Sequence, residues 1–356
     1  MKNANKLVGT VLAAAMFSTF LTPYANAAVA AKPIAPAAST NSTPSYVARV
    51  GYGQISKAEY GFFLMDAKSR VQQYLGTNNV DWKSKIENMP AADFAKQIAL
   101  DNAINFKIQL IKAKDAKLTL TKEELDKFNS DVNTYLSNIS EKPEQQESYI
   151  KTQTGLTLSQ FKGLYKNMYV VNKFVEYTKN NYKYTDADLQ KYYSDNRDSF
   201  YKVTVGHILF LTKDSSGQAL SQEKQDEVKK KAEDTLAKVK LPNADFAALA
   251  KELSEDPGSK DTGGEYTVVK NHQYVTEFEN WATDPTRKVG DTGIIKTSYG
   301  YHVMKMNKIF SFDEIKQDLI SSFITKKYGS DLASWKNDKK CKLIKNKAVY
   351  DAITVS

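Results

Sequence analysis

Val203-Thr204-Val205-Gly206-His207-Ile208-Leu209-Phe210-Leu211 is the stretch where the grammar of this chain changes. Upstream, apolar residues recur with a helical period. Here β-branched and aromatic residues run together, the pattern of a buried strand. A lysine-rich helix is expected next, over about 222–240, ended by Pro242, and Asp245 stands where it would cap a second helix, 246–253. Asp256-Pro257-Gly258-Ser259 reads as a turn and Gly263-Gly264 as a loop pair. A helical turn around Phe278 and Trp281 then precedes two strand runs, 292–296 and 301–309, that meet at a turn on Gly300.

Working outward, residues 48–55 form a short strand-like run broken by Gly51 and Gly53. Ser56-Lys57-Ala58-Glu59 opens the first long helix as a capping box. Phe94, Ile98, Ile104, Ile108 and Ile111 make one apolar stripe. Thr121-Lys122-Glu123-Glu124 opens another helix, with Leu125, Phe128, Val132, Leu136 and Ile139 on a single face. Thr157-Leu158-Ser159-Gln160 opens a third, bearing Phe161, Leu164, Tyr165, Met168 and Val171. A shorter helix starts at Thr185 and runs through Tyr192-Tyr193. On the far side of the strands, Ser311-Phe312-Asp313-Glu314 begins a helix through Leu319, Ile320, Phe323 and Ile324 to Trp335. These stripes need one another for burial. The pattern predicts a helical lobe built from both ends of the chain.

At 356 residues there is enough chain for two cores. Lys2 and Lys6, the apolar run 7–21 and Ala25-Asn26-Ala27 have the form of a cleavable signal peptide. That run is short for a membrane span. Residues 28–45, rich in Ala, Pro, Ser and Thr, read as a flexible leader. Cys341 is the sole cysteine and lies far from the leader, so an internal disulfide is excluded and a lipid-anchoring cysteine is not expected. Export to the cell envelope or beyond, without lipidation, is the expected fate. The net charge of +9 is carried mainly by scattered lysines, including Lys229-Lys230-Lys231. Solvated helix faces account for most of them, and weak adhesion to an anionic wall or membrane surface is a further expectation. No Arg-rich groove or finger spacing points to nucleic acid. His207, His272 and His302 lack the pair spacing of a zinc site, and no cofactor is implied.

Five motifs across 203–309 together resemble the parvulin (PpiC) family of peptidyl-prolyl cis-trans isomerases. Val205-Gly206-His207-Ile208-Leu209 is similar to that family's first strand. Asp245-Phe246-Ala247-Ala248-Leu249-Ala250 resembles its Asp-Phe-Ala-x-Leu-Ala helix, and Ser254-Glu255-Asp256-Pro257-Gly258-Ser259 with Gly263-Gly264 its Ser-x-Asp-x-x-Ser…Gly-Gly stretch. Thr276-Glu277-Phe278-Glu279 and Tyr299-Gly300-Tyr301-His302-Val303 resemble Pro-Glu-Phe-Glu and Phe-Gly-Tyr-His-Ile. Residues 47–59 and 184–200 are similar to the corresponding parts of SurA- and PrsA-type foldases. The resemblance implies an α+β fold, with a parvulin domain inserted in an all-α chaperone-like lobe. The domain would carry an antiparallel-rich four-stranded sheet with surrounding helices. The expected division is 1–27 signal peptide, 28–45 leader, 46–200 helical lobe, 201–310 parvulin domain, and 311–356 a C-terminal helix and tail packing on the lobe.

By the same resemblance, His207 and His302 would pair at the floor of the site, with Thr297 bonded into their network. Asp256 would face the substrate amide. Phe278, Tyr274 and Tyr299 would line the proline pocket. By themselves, two histidines on strands are equally satisfied core groups, and Asp256 before Pro257 is equally a turn former. Three positions depart from the family pattern: Tyr274 where Met is usual, Gly263-Gly264-Glu265-Tyr266-Thr267 where Gly-Gly-Asp-Leu-Gly is usual, and Gly206 for Ser or Ala. Expected partners are unfolded or partly folded exported polypeptides containing X-Pro bonds. Two functions fit: a prolyl isomerase with chaperone activity, or a holdase carrying a silent parvulin domain. A solute-binding or wall-structural protein fits poorly, because no internal repeat is present.

Overall fold

The structure, a computed structural model, describes residues 46–86 and 88–355. The expected signal peptide and leader lie outside the described residues. The chain begins with a hairpin of β1 (Tyr46–Val50) and β2 (Gly53–Ser56), followed by helix Lys57–Leu75. A two-residue ladder, β3 (Lys85–Ile86) with β4 (Met89–Pro90), leads into helices Ala91–Asp115, Lys122–Ile139, Pro143–Thr154 and Leu158–Asn180. Helices Asp186–Asp195 and Arg197–Phe200 precede β5 (Val203–Leu211). Helices Gln222–Val239 and Phe246–Leu253 follow, then β6 (Glu265–Val268), helix Thr276–Thr283, β7 (Thr292–Lys296) and β8 (Gly300–Ile309). Helix Phe312–Trp335, β9 (Leu343–Lys345) and a terminal turn of helix, Lys347–Asp351, complete it.

The helices start where side chains relieve the unpaired N–H groups of their first turns. Ser56 accepts from the Glu59 amide at 3.1 Å. Full reciprocal boxes form at Thr121–Glu124, Thr157–Gln160 and Ser311–Glu314. Thr185–Asp188 forms a fourth, with Asp in the place of Glu.

Two compact units result: one takes the chain up to Tyr182 and again from Ile324, and the other is Lys183–Phe323, so that the division falls within helix Phe312–Trp335. In the first unit β1 is the middle strand of a sheet ordered β2-β1-β9, so the first and last strands among the described residues meet by backbone pairing, Arg49 opposite Ile344. The predicted stripes converge on one core that includes Ile104, Ile108, Ile111, Phe128, Val132, Leu136, Phe161, Leu164 and Met168, joined by Tyr328, Leu332, Cys341 and Val349 from the C-terminal segment. Cys341 is buried, which raises its thiol pKa. The Tyr328 hydroxyl donates to the buried Gln109 Oε1 at 2.6 Å.

The second unit holds a four-stranded antiparallel sheet ordered β6-β5-β8-β7. Eight of the nine β5 residues are buried, because both faces of the strand are covered. Ile208 and Phe210 pack with Ala232, Val239, Phe246, Ala250 and Val303 under the helices. Val203 and Val205 point the other way, against Phe278, Trp281, Met304 and Met306. The period of two therefore places His207 on the face that looks at Phe278. On β8, Met304 lies opposite His207 and His302 opposite Leu209, which makes the two histidines diagonal neighbours on that face. Residues 265–268, outside the three strand runs predicted here, supply the fourth strand as the edge strand β6.

Replacing Tyr328 with Phe would leave the Gln109 carbonyl oxygen without its donor in the core. A loss of about 1–3 kcal/mol is expected, read as a lower urea midpoint for the transition of this unit with an unchanged slope.

Candidate active site

The two imidazoles meet. His207 Nδ1 and His302 Nδ1 are 3.2 Å apart, and their rings stack with centroids 5.4 Å apart at 24°. Both are buried, as are Thr297 and Ser259 beside them. Thr297 Oγ1 lies 2.8 Å from His302 Nε2 and accepts the Tyr299 amide at 3.1 Å. At the other end, His207 Nε2 lies 2.9 Å from both Asp256 Oδ2 and Ser259 Oγ.

Donor and acceptor capacity orders the protons along this chain. The ionised Asp256 carboxylate can only accept, which requires the proton on His207 Nε2 and leaves His207 Nδ1 as an acceptor. His302 therefore carries its proton on Nδ1 and donates it to His207 Nδ1. The Thr297 hydroxyl, which accepts the Tyr299 N–H, then gives its hydrogen to the bare His302 Nε2. Both rings are neutral in this arrangement, and the charge resides on Asp256. The pKa directions agree. Burial lowers His302 to about 4, with the neighbouring His207 adding to the effect. Burial also lowers His207, against the pull of Asp256. For Asp256, burial alone would raise the carboxyl, but donors from Ser259, the Gly258 amide and His207 outweigh it and hold it below its usual range.

Backbone pairing brings Asp256 to this place. Past the end of β6 the free side of β5 is zipped to the segment that follows helix Phe246–Leu253: Glu255 N–H donates to Leu209 O at 2.8 Å, and Leu209 N–H to Ser254 Oγ at 3.2 Å. Gly264 closes the same side, accepting the His207 N–H at 2.7 Å. It does so at φ +75, where a Cβ would stand 2.3 Å from the His207 carbonyl oxygen, so glycine is required. Gly206 has a different reason. The Phe246 ring fills the space where a Cβ would stand, 2.6 Å from its nearest carbon, so a Ser or Ala there would need the ring to move.

Phe278 sets its ring across the two histidines, 5.3 Å from His207 and 5.8 Å from His302. Tyr274 stacks on Phe278 at 5.4 Å and 25°, and its hydroxyl, which needs a partner, donates to the Thr267 carbonyl. Tyr274 thus extends the aromatic cover that Phe278 lays over the histidines. The Tyr299 side chain is 52% exposed and joins the site through its backbone. Glu279, buried one residue after Phe278, accepts the Asn271 and His272 amides at 3.0 and 2.7 Å and so pins the loop that delivers Tyr274. His272 is exposed, at φ +61. Among the described residues no group of three or more His, Cys, Asp and Glu is placed to hold a metal.

Three contributors escape a reading of the sequence alone. Ser259 looks like a turn residue, and Glu279 a solvated helix residue. Tyr266 lies outside the predicted strand runs, although Tyr266-Thr267-Val268-Val269 is β-prone.

The geometry thus brings together a buried neutral histidine pair, a fixed carboxylate and two stacked aromatic rings. The family model of the PPIC-type PPIase domain matches residues 188–309. Over a longer span the chain is similar to the "Foldase protein PrsA" of Caldanaerobacter subterraneus subsp. tengcongensis, 29% identical over 311 residues that cover 86% of this chain and 84% of that one. It is also similar to the "Foldase protein PrsA" of Clostridium botulinum strain Hall, 28% identical over 96% of this chain and 98% of the other. Among solved structures, a peptidylprolyl isomerase (PrsA) from Bacillus cereus is similar at a TM-score of 0.35 and 22% identity, covering 84% of this chain and 93% of that one. Residues 188–309 are a parvulin-type isomerase domain, the chain is similar to PrsA foldases over most of its length, and it is a peptidyl-prolyl isomerase and folding chaperone.

The depressed histidines give this unit an acid limit. A proton on His302 displaces the donation from Thr297 or that to His207, and it binds more readily in the unfolded chain, where the value is near 6.5. Stability from the pair is therefore full above about 6.5 and lost as pH falls through about 4. The ¹⁵N chemical shifts should show His302 as the neutral Nδ1–H form at pH 6, and the melting temperature of this unit should fall steadily from pH 6.5 to 4.

Proposed function

We propose that the chain turns X-Pro bonds in exported, unfolded or partly folded polypeptides at the His207–His302 site. Asp256, Thr297, His207 and His302 form the catalytic network, and Phe278, Tyr274 and Tyr299 line the proline pocket. The 3.2 Å approach of the two Nδ1 atoms beneath Phe278 carries this reading.

Uncatalysed rotation takes tens to hundreds of seconds, so a turnover near a hundred per second asks for about 5–6 kcal/mol. No covalent step is needed. In the planar amide, resonance places negative charge on the carbonyl oxygen, and in the twisted form that charge is diminished while the nitrogen regains its lone pair. A carboxylate held ionised beside the rotating carbonyl disfavours the planar form relative to the twisted one. That difference lowers the barrier. The hollow under Phe278 and Tyr274 holds the proline ring still while the other side of the bond turns. The histidine pair positions Asp256 and keeps its charge in place.

The helices over 46–200 and the segment 311–356 form the chaperone lobe of this proposal, flanking the isomerase domain at 201–310. Export follows from the basic start, the apolar run and the Ala25-Asn26-Ala27 site. Among the described residues no helix is long and apolar enough to cross a membrane.

In a protease-coupled assay on a proline tetrapeptide, Asp256→Ala and His302→Ala should each lower kcat/KM by about tenfold or more. Phe278→Ala should act chiefly on KM. Unchanged catalysis in either of the first two would remove that residue from the mechanism. Suppression of client aggregation should persist in all three. The lysine-rich surface should also retain the chain on anionic vesicles at low salt, with retention falling as ionic strength rises.

A further inference from the structure

The Tyr266 hydroxyl donates to Asp256 Oδ2 at 3.0 Å, a contact that the usual leucine of this motif cannot make. Three donors converge on that one oxygen: Tyr266, Ser259 Oγ at 2.5 Å and His207 Nε2 at 2.9 Å. Ser259 lies three residues from Asp256 and moves with its loop. His207 and Tyr266 come from the sheet, on β5 and β6, with Tyr266 paired opposite Val205. They are the two bonds that tie the carboxylate to the rigid part of the domain.

We infer that Tyr266 is a positioning residue of this isomerase, fixing the ionised Asp256 carboxylate against the sheet, and that Gly258 is its obligate companion. The inference rests on the role proposed above for Asp256. The tyrosine ring has little freedom, since His207 lies 5.2 Å away, Tyr274 5.6 Å and Phe278 6.3 Å. Its hydroxyl reaches Asp256 only because residue 258 has no side chain. A Cβ there would stand 2.5 Å from the Tyr266 oxygen, and a ring held on three sides cannot yield cheaply. The same glycine donates its amide to Asp256 Oδ1 at 3.1 Å. Gly258 and Tyr266 thus form one device, reaching the carboxylate from two sides.

The titratable groups facing Asp256 are His207 from β5, Tyr266 from β6 and, one ring further, His302 from β8. Tyr274 faces Tyr266. Removing the tyrosine hydroxyl deletes a donor that favours the ionised carboxylate, so the acid limb of the activity profile should move to higher pH.

The test is a double-mutant cycle on the full chain, with kcat and KM measured across pH. Tyr266→Phe keeps the ring and should lower kcat about fivefold to tenfold with little change in KM, since a hydrogen bond to a charged group is lost. Its acid limb should rise. Gly258→Ala should cause a similar loss by displacing the hydroxyl. In the Tyr266→Phe background, Gly258→Ala should cost almost nothing further, because the atom it strikes is gone. Wild-type kcat and an unmoved acid limb in Tyr266→Phe would overturn the inference, as would losses that simply multiply in the double variant. If Asp256→Ala is damaging while Tyr266→Phe is silent, the positioning role alone fails. If Asp256→Ala is itself silent, the reading of the site fails with it.

Discussion

Two buried imidazoles with nitrogens 3.2 Å apart share a single hydrogen between those nitrogens, and the polarity of the whole site follows from that constraint. Two N–H groups facing each other would repel, and two lone pairs would leave a buried acceptor pair unsatisfied. One must donate. Because the ionised Asp256 can only accept, the choices are fixed back along the line through His207 and His302 to Thr297, and the negative charge rests on a member of the network that lies partly in solvent. A neutral pair also tolerates burial, which two charged rings would not. The site can therefore sit at the base of a sheet packed on both faces.

That packing makes the arrangement rigid. β5 is covered by helices on one face and by Phe278, Trp281, Met304 and Met306 on the other. Its backbone is satisfied by β8 along its full length and, on the other side, by β6 and then by Ser254 and Glu255. The loop bearing Asp256 is thus stitched to the strand bearing His207. In the mechanism proposed, Asp256 acts on the difference in charge between planar and twisted amides, so a carboxylate displaced by an ångström would lose much of its effect. Several independent donors on one carboxylate are a sensible answer to that demand.

The departures from the family pattern make sense together. Gly206 admits the Phe246 ring, Tyr266 places a hydroxyl on Asp256, and Tyr274 stacks on Phe278 with its own hydroxyl bonded to the Thr267 carbonyl. Each added hydroxyl has found a partner, and the two rings pack on each other and, in the case of Tyr274, on Phe278. The site keeps its polarity with altered walls.

The sequence by itself determined the local elements and the chemical parts. Capping boxes marked the helix starts, β-branched and aromatic runs marked β5, β7 and β8, and the resemblance carried by the order of short motifs pointed to His207, Asp256, Thr297, Phe278 and His302. These signals are legible because they depend on neighbours within a few residues, where spacing fixes geometry. Tertiary structure decided what depends on pairing across the chain. β6 exists because β5 offers it an edge. Tyr266 and Ser259 join the network because antiparallel register and a loop stitched to Leu209 bring them there, and Glu279 is buried because the loop just before its helix folds back onto it. Side-chain convergence from separate elements leaves no periodic trace, so only the folded chain shows that three donors meet on a single carboxylate oxygen.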